Sequence, residues 1–197
     1  PRLRVDLGGR RIIKKIPMQN IKRLQAKCRQ IDDDMRWLVA LLSDTGLRLG
    51  EGAGLLKTDI HLDCGIPFVR IQRHPWRGLK TYSSERDVPL VGDALWAAER
   101  AVQAQSDSVF AFPRYNQSTT TAANSASAAL NKWLKHYVPA GCTMHSFRHS
   151  MRDRLRAVEC PAEIIDQIGG WQTDGIGHSY GTGSPISVLQ RQLIKIA

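Results

Sequence analysis

The sequence predicts a mostly helical domain with a small antiparallel β-sheet, an α+β fold. Three observations carry this expectation. Hydrophobic residues make up 42% of the 197-residue chain and charged residues 23%, which supports one packed core and excludes wholesale disorder. Capped, amphipathic runs of helical period fill most of the length. Only two short stretches, 67–72 and 86–90, read as strands, and a turn-rich connection joins them as in a small antiparallel sheet.

The elements follow in order. Residues 1–16 read as a basic arm or interdomain linker, 17–184 as the main domain, and 185–197 as a terminal helix. Helical signals begin near Pro17. Asp32, Asp33 and Asp34 supply an N-cap and dipole-compatible charge to a helix running through Trp37 and Leu42, and Thr45-Gly46 ends it. A second helix is expected over 48–57, with Gly50, Gly52 and Gly54 working against it. Residues 93–105 are helical. The stretch 118–127, rich in Ser, Thr, Ala and Asn, reads as a loop feeding a helix that ends near His136. Thr143 caps a helix over 144–158, and Pro161 and Gly169-Gly170 bracket another. Ser184-Pro185 starts the last helix, with Ile186, Leu189, Leu193 and Ile194 on one face.

Charge narrows the partner. Lys and Arg number 28 against 18 Asp and Glu, a net charge of +10, which favours a polyanion and most simply nucleic acid. The basic residues fall in three blocks, 1–36, 70–86 and 145–156, as on a surface that follows a phosphate backbone. No apolar run approaches the ~20 residues of a membrane span. The chain starts Pro-Arg-Leu-Arg with no initiator Met and no signal-peptide pattern, which reads as a fragment or processed product. Cys28, Cys64, Cys142 and Cys160 lie far apart, as reduced intracellular thiols do.

Several familiar patterns fail on inspection. Gly50 to Thr58 resembles a phosphate loop, but Lys57 stands three residues past Gly54 where a P-loop needs Gly-Lys adjacent. His145 and His149 share a helix face at i and i+4, yet no glutamate follows the first histidine and no third metal ligand is evident. The three consecutive aspartates would point three ways from a helix, so they cap it and hold no metal.

The informative set is dispersed. Arg48 and Glu51 lie in Thr45-Gly-Leu-Arg-Leu-Gly-Glu51, Lys80 in the turn before the second strand, and His145 and Arg148 open a helix. Gly169-Gly-Trp171 follows, then Tyr180. At i and i+3 near a helix start, His145 and Arg148 can address one anion, helped by the helix dipole. This ordered set resembles the catalytic domain of the tyrosine recombinase (phage integrase) family over about residues 17 to 184.

The resemblance implies the family's fold and site-specific breaking and rejoining of double-stranded DNA through a 3′-phosphotyrosine, without metal, ATP or cofactor. It assigns Arg48 and Arg148 to the phosphate, His145 to acid–base assistance, Lys80 to protonating the departing 5′ oxygen and Trp171 to buttressing the site. Glu51 is the structural glutamate, and Tyr180 the nucleophile. Of the four tyrosines only Tyr180 follows the His-x-x-Arg helix; Tyr82, Tyr115 and Tyr137 are rivals by chemistry alone. Two guanidiniums suit the clamping of nonbridging oxygens, and a cationic site favours phenolate over a phenol of pKa ~10. The resemblance further implies a homotetramer on paired sites, accessory DNA-bending proteins as possible partners, and a terminal helix that docks on a neighbouring protomer. A type IB-like topoisomerase, an inactive DNA-binding module and a metal-dependent nuclease are the competing readings.

Overall fold

Apolar stripes at helical spacing decide how this chain packs. The computed structural model describes residues 14–81, 84–171 and 183–197. The basic arm before residue 14, Tyr82, His178 and Tyr180 lie outside the described residues. Helix α1 (Met18–Ile31) buries Ile21, Leu24, Gln25 and Cys28. Helix α2 (Asp34–Thr45) is buried from Leu38 to Thr45 and forms the centre of the domain. The Asp33 side chain accepts from Arg36 N at its start, and Gly46, at φ 62°, ends it in the left-handed conformation that glycine tolerates best.

Helix α3 (Leu49–Ala53) is only five residues long, and a 3₁₀ turn (Lys57–Asp59) follows it. The expected helix over 48–57 is therefore cut short. Its glycines serve close packing: a Cβ on Gly52 would lie 3.0 Å from Leu42 Cδ2, and one on Gly54 2.8 Å from both Arg77 Cδ and Thr121 Oγ1.

Strands β1 (Ile60–His61), β2 (Phe68–Ile71) and β3 (Arg86–Pro89) form an antiparallel sheet in that order. Val69 pairs with Val88, and Ile71 with Arg86. Both expected strands are present, each slightly shorter, with β1 added. Helix α4 (Gly92–Gln103) lies close along α2 through Ala94, Ala97, Ala98 and Ala101, side chains too small to hold the axes apart. A hairpin of β4 (Asn116–Gln117) and β5 (Thr120–Thr121) occupies part of the expected loop. Asn116 makes that turn specific, donating to Ala53 O and Phe112 O and accepting from Thr121 Oγ1.

Helices α5 (Ala123–Leu134), α6 (Met144–Ala157), α7 (Ala162–Gly169) and α8 (Ile186–Ile194) complete the fold. Thr143 and Ser146 form a reciprocal capping box on α6. Leu189, Leu193 and Ile196 are buried, and α8 packs on β3 of its own chain. Ile194, expected on that apolar face, is 57% exposed; Ile196, beyond the helix end, takes the inward position. Lys14 Nζ donates to Ala140 O and Ile16 N to Ser150 Oγ, so the chain joins the domain before α1.

Asp44, 1% exposed, ties four helices together. It accepts from Arg154 of α6 at 3.1 Å, Gln25 of α1 at 2.9 Å and Asp93 N of α4 at 3.3 Å. Burial pushes its carboxyl above the usual range, and Arg154 opposes that push. Replacing Asp44 by Ala strands a buried guanidinium and is expected to cost about 3–5 kcal/mol in urea unfolding. A loss below about 1 kcal/mol, the range of an exposed pair, would show that the carboxylate is not the tie.

Candidate active site

The site is built around a buried carboxylate. Arg48 is the N-cap of α3, and Glu51 three residues on reaches back: its Oε2 accepts from Arg48 N at 2.9 Å and its Oε1 from Arg48 Nη1 at 2.5 Å. The other side of Glu51 takes a second cation, Arg86 Nη2 at 3.0 Å. Burial raises the Glu51 carboxyl, but Arg86 and Arg48 outweigh it and hold it below its ordinary value. It is therefore an anion at neutral pH.

Arg86 was not among the site residues read from the sequence. Its side chain is 4% exposed and also donates to Ile168 O at 2.8 Å and Ser84 O at 2.6 Å. It thus joins β3 to α3 and to the end of α7. The available signal was strand alternation: Arg86 shares a face with buried Val88, while Asp87 points outward and pairs with Arg70. A cation on an inward face needs buried acceptors, a carboxylate or backbone carbonyls.

Arg148 and His145 sit on the first turns of α6, as their spacing implied. Arg148 is 2% exposed, and its Nη1 donates to Gly46 O at 3.0 Å. Among the described residues its Nη2 finds no hydrogen-bond partner. Burial, with Arg48 and Arg86 nearby, pushes Arg148 down to about 9, still charged at neutral pH. His145 presents an exposed edge; desolvation first, then His149, Arg148, Arg48 and Lys80, hold it below its ordinary 6.5. Arg148, Arg48 and Lys80, the cations the sequence assigned to the site, thus all act on His145.

Trp171 follows α7 and lies against two guanidiniums, with Arg148 Cζ 4.1 Å and Arg152 Cζ 4.9 Å from its ring. The ring covers Gly169 so closely that a Cβ there would fall 1.8 Å from it. Arg152, unmarked in the sequence reading, is held by Asp166 at 3.3 Å.

Lys80 is exposed on the β2–β3 connection. With Arg48, Glu51, Trp76, Arg77 and Thr121 it lines a cleft of about 320 Å³. The structure therefore brings Arg48, Glu51, His145, Arg148, Trp171 and Lys80 to one region. Tyr180 lies outside the described residues. His145 and His149 rings contact at 4.9 Å, and among the described residues no group of three metal-ligating side chains converges. Chemically, the cluster suits an anion: among the described residues Arg48, Arg86 and Arg148 gather around the Glu51 carboxylate, and Arg148 Nη2 makes no hydrogen bond.

The chain matches the phage integrase family over residues 14–182. Its fold is similar to the integrase of transposon Tn1549 in complex with circular intermediate DNA, at TM-score 0.58 and 16% identity, covering 91% of this chain and 64% of that one. The XerH site-specific recombinase bound to palindromic difH substrate in a post-cleavage complex gives 0.62 and 15%, covering 96% and 51%. The XerA recombinase gives 0.58 and 19%, covering 90% and 61%. At these identities the likeness is one of fold, and the chain spans about half to two thirds of the length of these relatives. No curated protein matches the chain.

The crowded cations generate a prediction. An anion in the site relieves their repulsion, so phosphate or sulfate at ten times its dissociation constant adds about 1.4 kcal/mol of stability. Arg148→Met removes an underneutralised buried charge. It is expected to hold or raise the unfolding temperature and to reduce the anion effect. A large drop in unfolding temperature with the anion effect intact would mean that Arg148 is an ordinary structural arginine.

Proposed function

The chain belongs to the phage integrase family, and we propose that it is the catalytic domain of a site-specific DNA recombinase working through a 3′-phosphotyrosine. The observation that carries this reading is the open Nη2 of buried Arg148 beside Arg48, in a cluster with one carboxylate. A scissile phosphate supplies the missing negative charge. Arg48 and Arg148 hold its nonbridging oxygens and stabilise the five-coordinate transition state; one such preorganised donor is worth about 3 kcal/mol.

Tyr180 is the nucleophile in this proposal. Its phenolic oxygen forms a bond to phosphorus as the bond to the 5′ oxygen breaks. Neutral His145 takes the phenol proton, and the Lys80 ammonium gives a proton to the departing oxygen. Trp171 packs Arg148 in place. The phosphodiester energy is kept in the phosphotyrosine, so a 5′-hydroxyl rejoins the strand with no metal, nucleotide or cofactor.

DNA-bound relatives of the same fold support double-stranded DNA as the partner. The active species is a homotetramer on paired sites, with accessory DNA-bending proteins as further partners. Exchange of α8 between protomers would reuse the β3 surface that Leu189 and Leu193 cover within one chain. Four free cysteines, three of them buried, fit a reducing intracellular setting.

The test is covalent capture. Nicked duplexes of randomised sequence are incubated with the protein in EDTA, and captured duplexes are sequenced and remade as the substrate. Wild type forms a covalent adduct that mass mapping places on Tyr180, and Tyr180→Phe binds DNA with unchanged affinity but forms none. No adduct, an adduct on Tyr82, Tyr115 or Tyr137, or one that needs magnesium contradicts the proposal.

The pH profile supplies a second check. His145 must be neutral to accept the phenol proton, so cleavage falls as pH drops through its pKa. Because that pKa is depressed, the acid limb measured at subsaturating DNA lies below pH 6.5 and activity is flat just above it. His145→Asn removes the limb. A limb at or above 6.5 that survives His145→Asn belongs to another group.

A further inference from the structure

A lysine on a long loop is a poor general acid unless something holds the loop. The β2–β3 connection spans residues 72–85, long enough to wander. Its first half is nevertheless pinned at several points. His74 N donates to Arg77 O at 3.2 Å, and Arg77 N to His74 O at 3.0 Å, closing a tight turn. Asp59, 1% exposed, accepts from Gln72 Nε2 and bonds His74 Nε2, both at 2.8 Å. The His74 and Trp76 rings stack at 4.7 Å, Trp76 Nε1 donates to Gly54 O at 3.2 Å, and Trp76 O accepts from Thr121 N at 3.1 Å.

Arg77 lies at the centre of this arrangement. It is 5% exposed, and its guanidinium donates to two backbone carbonyls, Glu51 O at 2.5 Å and Gln72 O at 2.6 Å. Among the described residues no carboxylate forms an ion pair with it, and a buried cation so placed is expensive where an apolar side chain would fill the space. What the charge does is specific. α3 ends at Ala53, so the Glu51 carbonyl lacks an intrahelical partner, and Arg77 supplies it. The side chain of that same Glu51 holds Arg48 and Arg86.

The other side of Lys80 is tied to the same unit. Ser84 N donates to Thr81 O at 3.2 Å, the Thr81 and Ser84 hydroxyls bond at 2.9 Å, and Ser84 Oγ accepts from Arg48 Nη1 at 3.1 Å. Lys80 thus stands three residues after one anchor and one before the other. Three extended residues span about 10 Å at most, which bounds its distance from Arg77.

We propose that Arg77 is a positioning residue for Lys80, locking the lysine loop to the backbone of Glu51 so that the general acid is placed relative to the arginine clamp before DNA arrives. The proposal rests on the reading of Lys80 as the proton donor to the 5′ oxygen. It assigns Arg77 no contact with the reacting atoms.

A sulfur substitution isolates this role. In a duplex with a 5′-bridging phosphorothiolate at the scissile position, the phosphorus–sulfur bond breaks and sulfur leaves as thiolate. Thiols have pKa values near 8.5, so the leaving group needs no proton and Lys80 becomes dispensable. Oxygen and sulfur versions of the captured duplex are compared for the full chain, using wild type, Lys80→Ala, Arg148→Ala, Arg77→Met, Arg77→Lys and Trp76→Phe. Arg77→Met is expected to slow cleavage of the oxygen duplex by about tenfold to a hundredfold, with DNA affinity little changed. Sulfur restores it close to the wild-type rate, as it does Lys80→Ala, whereas Arg148→Ala stays slow on both.

Arg77→Lys retains charge but cannot fork across two carbonyls, and it shows the same rescue. Trp76→Phe, which loses the bond to Gly54 O and part of the stacked ring while leaving Arg77 in place, gives a smaller defect of the same kind and serves if the Arg77 variants do not fold. An equal loss on oxygen and sulfur, or no loss on oxygen, overturns the positioning role while leaving Lys80 in place. If sulfur fails to rescue Lys80→Ala itself, the reading of Lys80 falls, and this proposal with it.

Discussion

One carboxylate organises the site. Glu51 is buried beneath two guanidiniums, bonding Arg48 through its backbone and side chain and Arg86 from the opposite side. Removing it would leave two cations facing each other in a partly dry environment, a situation that costs several kcal/mol and that protein interiors avoid. Through Arg86 it reaches the last turn of α7, and through its own carbonyl the lysine loop. The helix that carries Glu51 is five residues long and has little stability of its own. Its position is dictated by these contacts and by Gly52 lying flat on α2.

The balance of charge within this arrangement matters as much as its rigidity. Glu51 neutralises only part of the positive cluster; among the described residues Arg148 keeps a nitrogen without a hydrogen bond, and burial with Arg48 and Arg86 depresses its pKa. In the proposed reaction, donors already held in place by the protein would need little reorganisation at the chemical step. On the proposed reading, a bound phosphate would relieve the repulsion among these cations, a trade of stability for function. Trp171 contributes without adding charge: its ring lies against Arg148 and Arg152, and Gly169 gives it room.

Much of this was legible in the sequence because spacing reports geometry on helices. His145 and Arg148 at i and i+3, with Thr143 before them, could only open a helix together, and α6 carries them so. The Asp33 cap, the Gly46 stop and both main strands were readable for the same reason. The extent of α3 was not, because its glycines serve packing against α2, Arg77 and Thr121, partners far away in sequence. The β4–β5 hairpin was hidden by its polar residues, since Asn116 reaches backbone carbonyls at Ala53 and Phe112 that no local pattern reveals. Arg77, Arg86 and Arg152 read as surface charge. A basic chain supplies many arginines, and only tertiary contact separates buried Arg77 and Arg86 and half-buried Arg152 from the solvated face.

The most direct test of this account is a structure of the chain on duplex DNA with vanadate replacing the scissile phosphate, a mimic of the five-coordinate state. The account predicts Arg48 and the open Nη2 of Arg148 within hydrogen-bond distance of the equatorial oxygens, Lys80 at the apical 5′ oxygen and Tyr180 at the opposite apex, with the Glu51 contacts retained. Vanadate bound elsewhere, or bound in the cluster only after Glu51 has released Arg48 and Arg86, would contradict it.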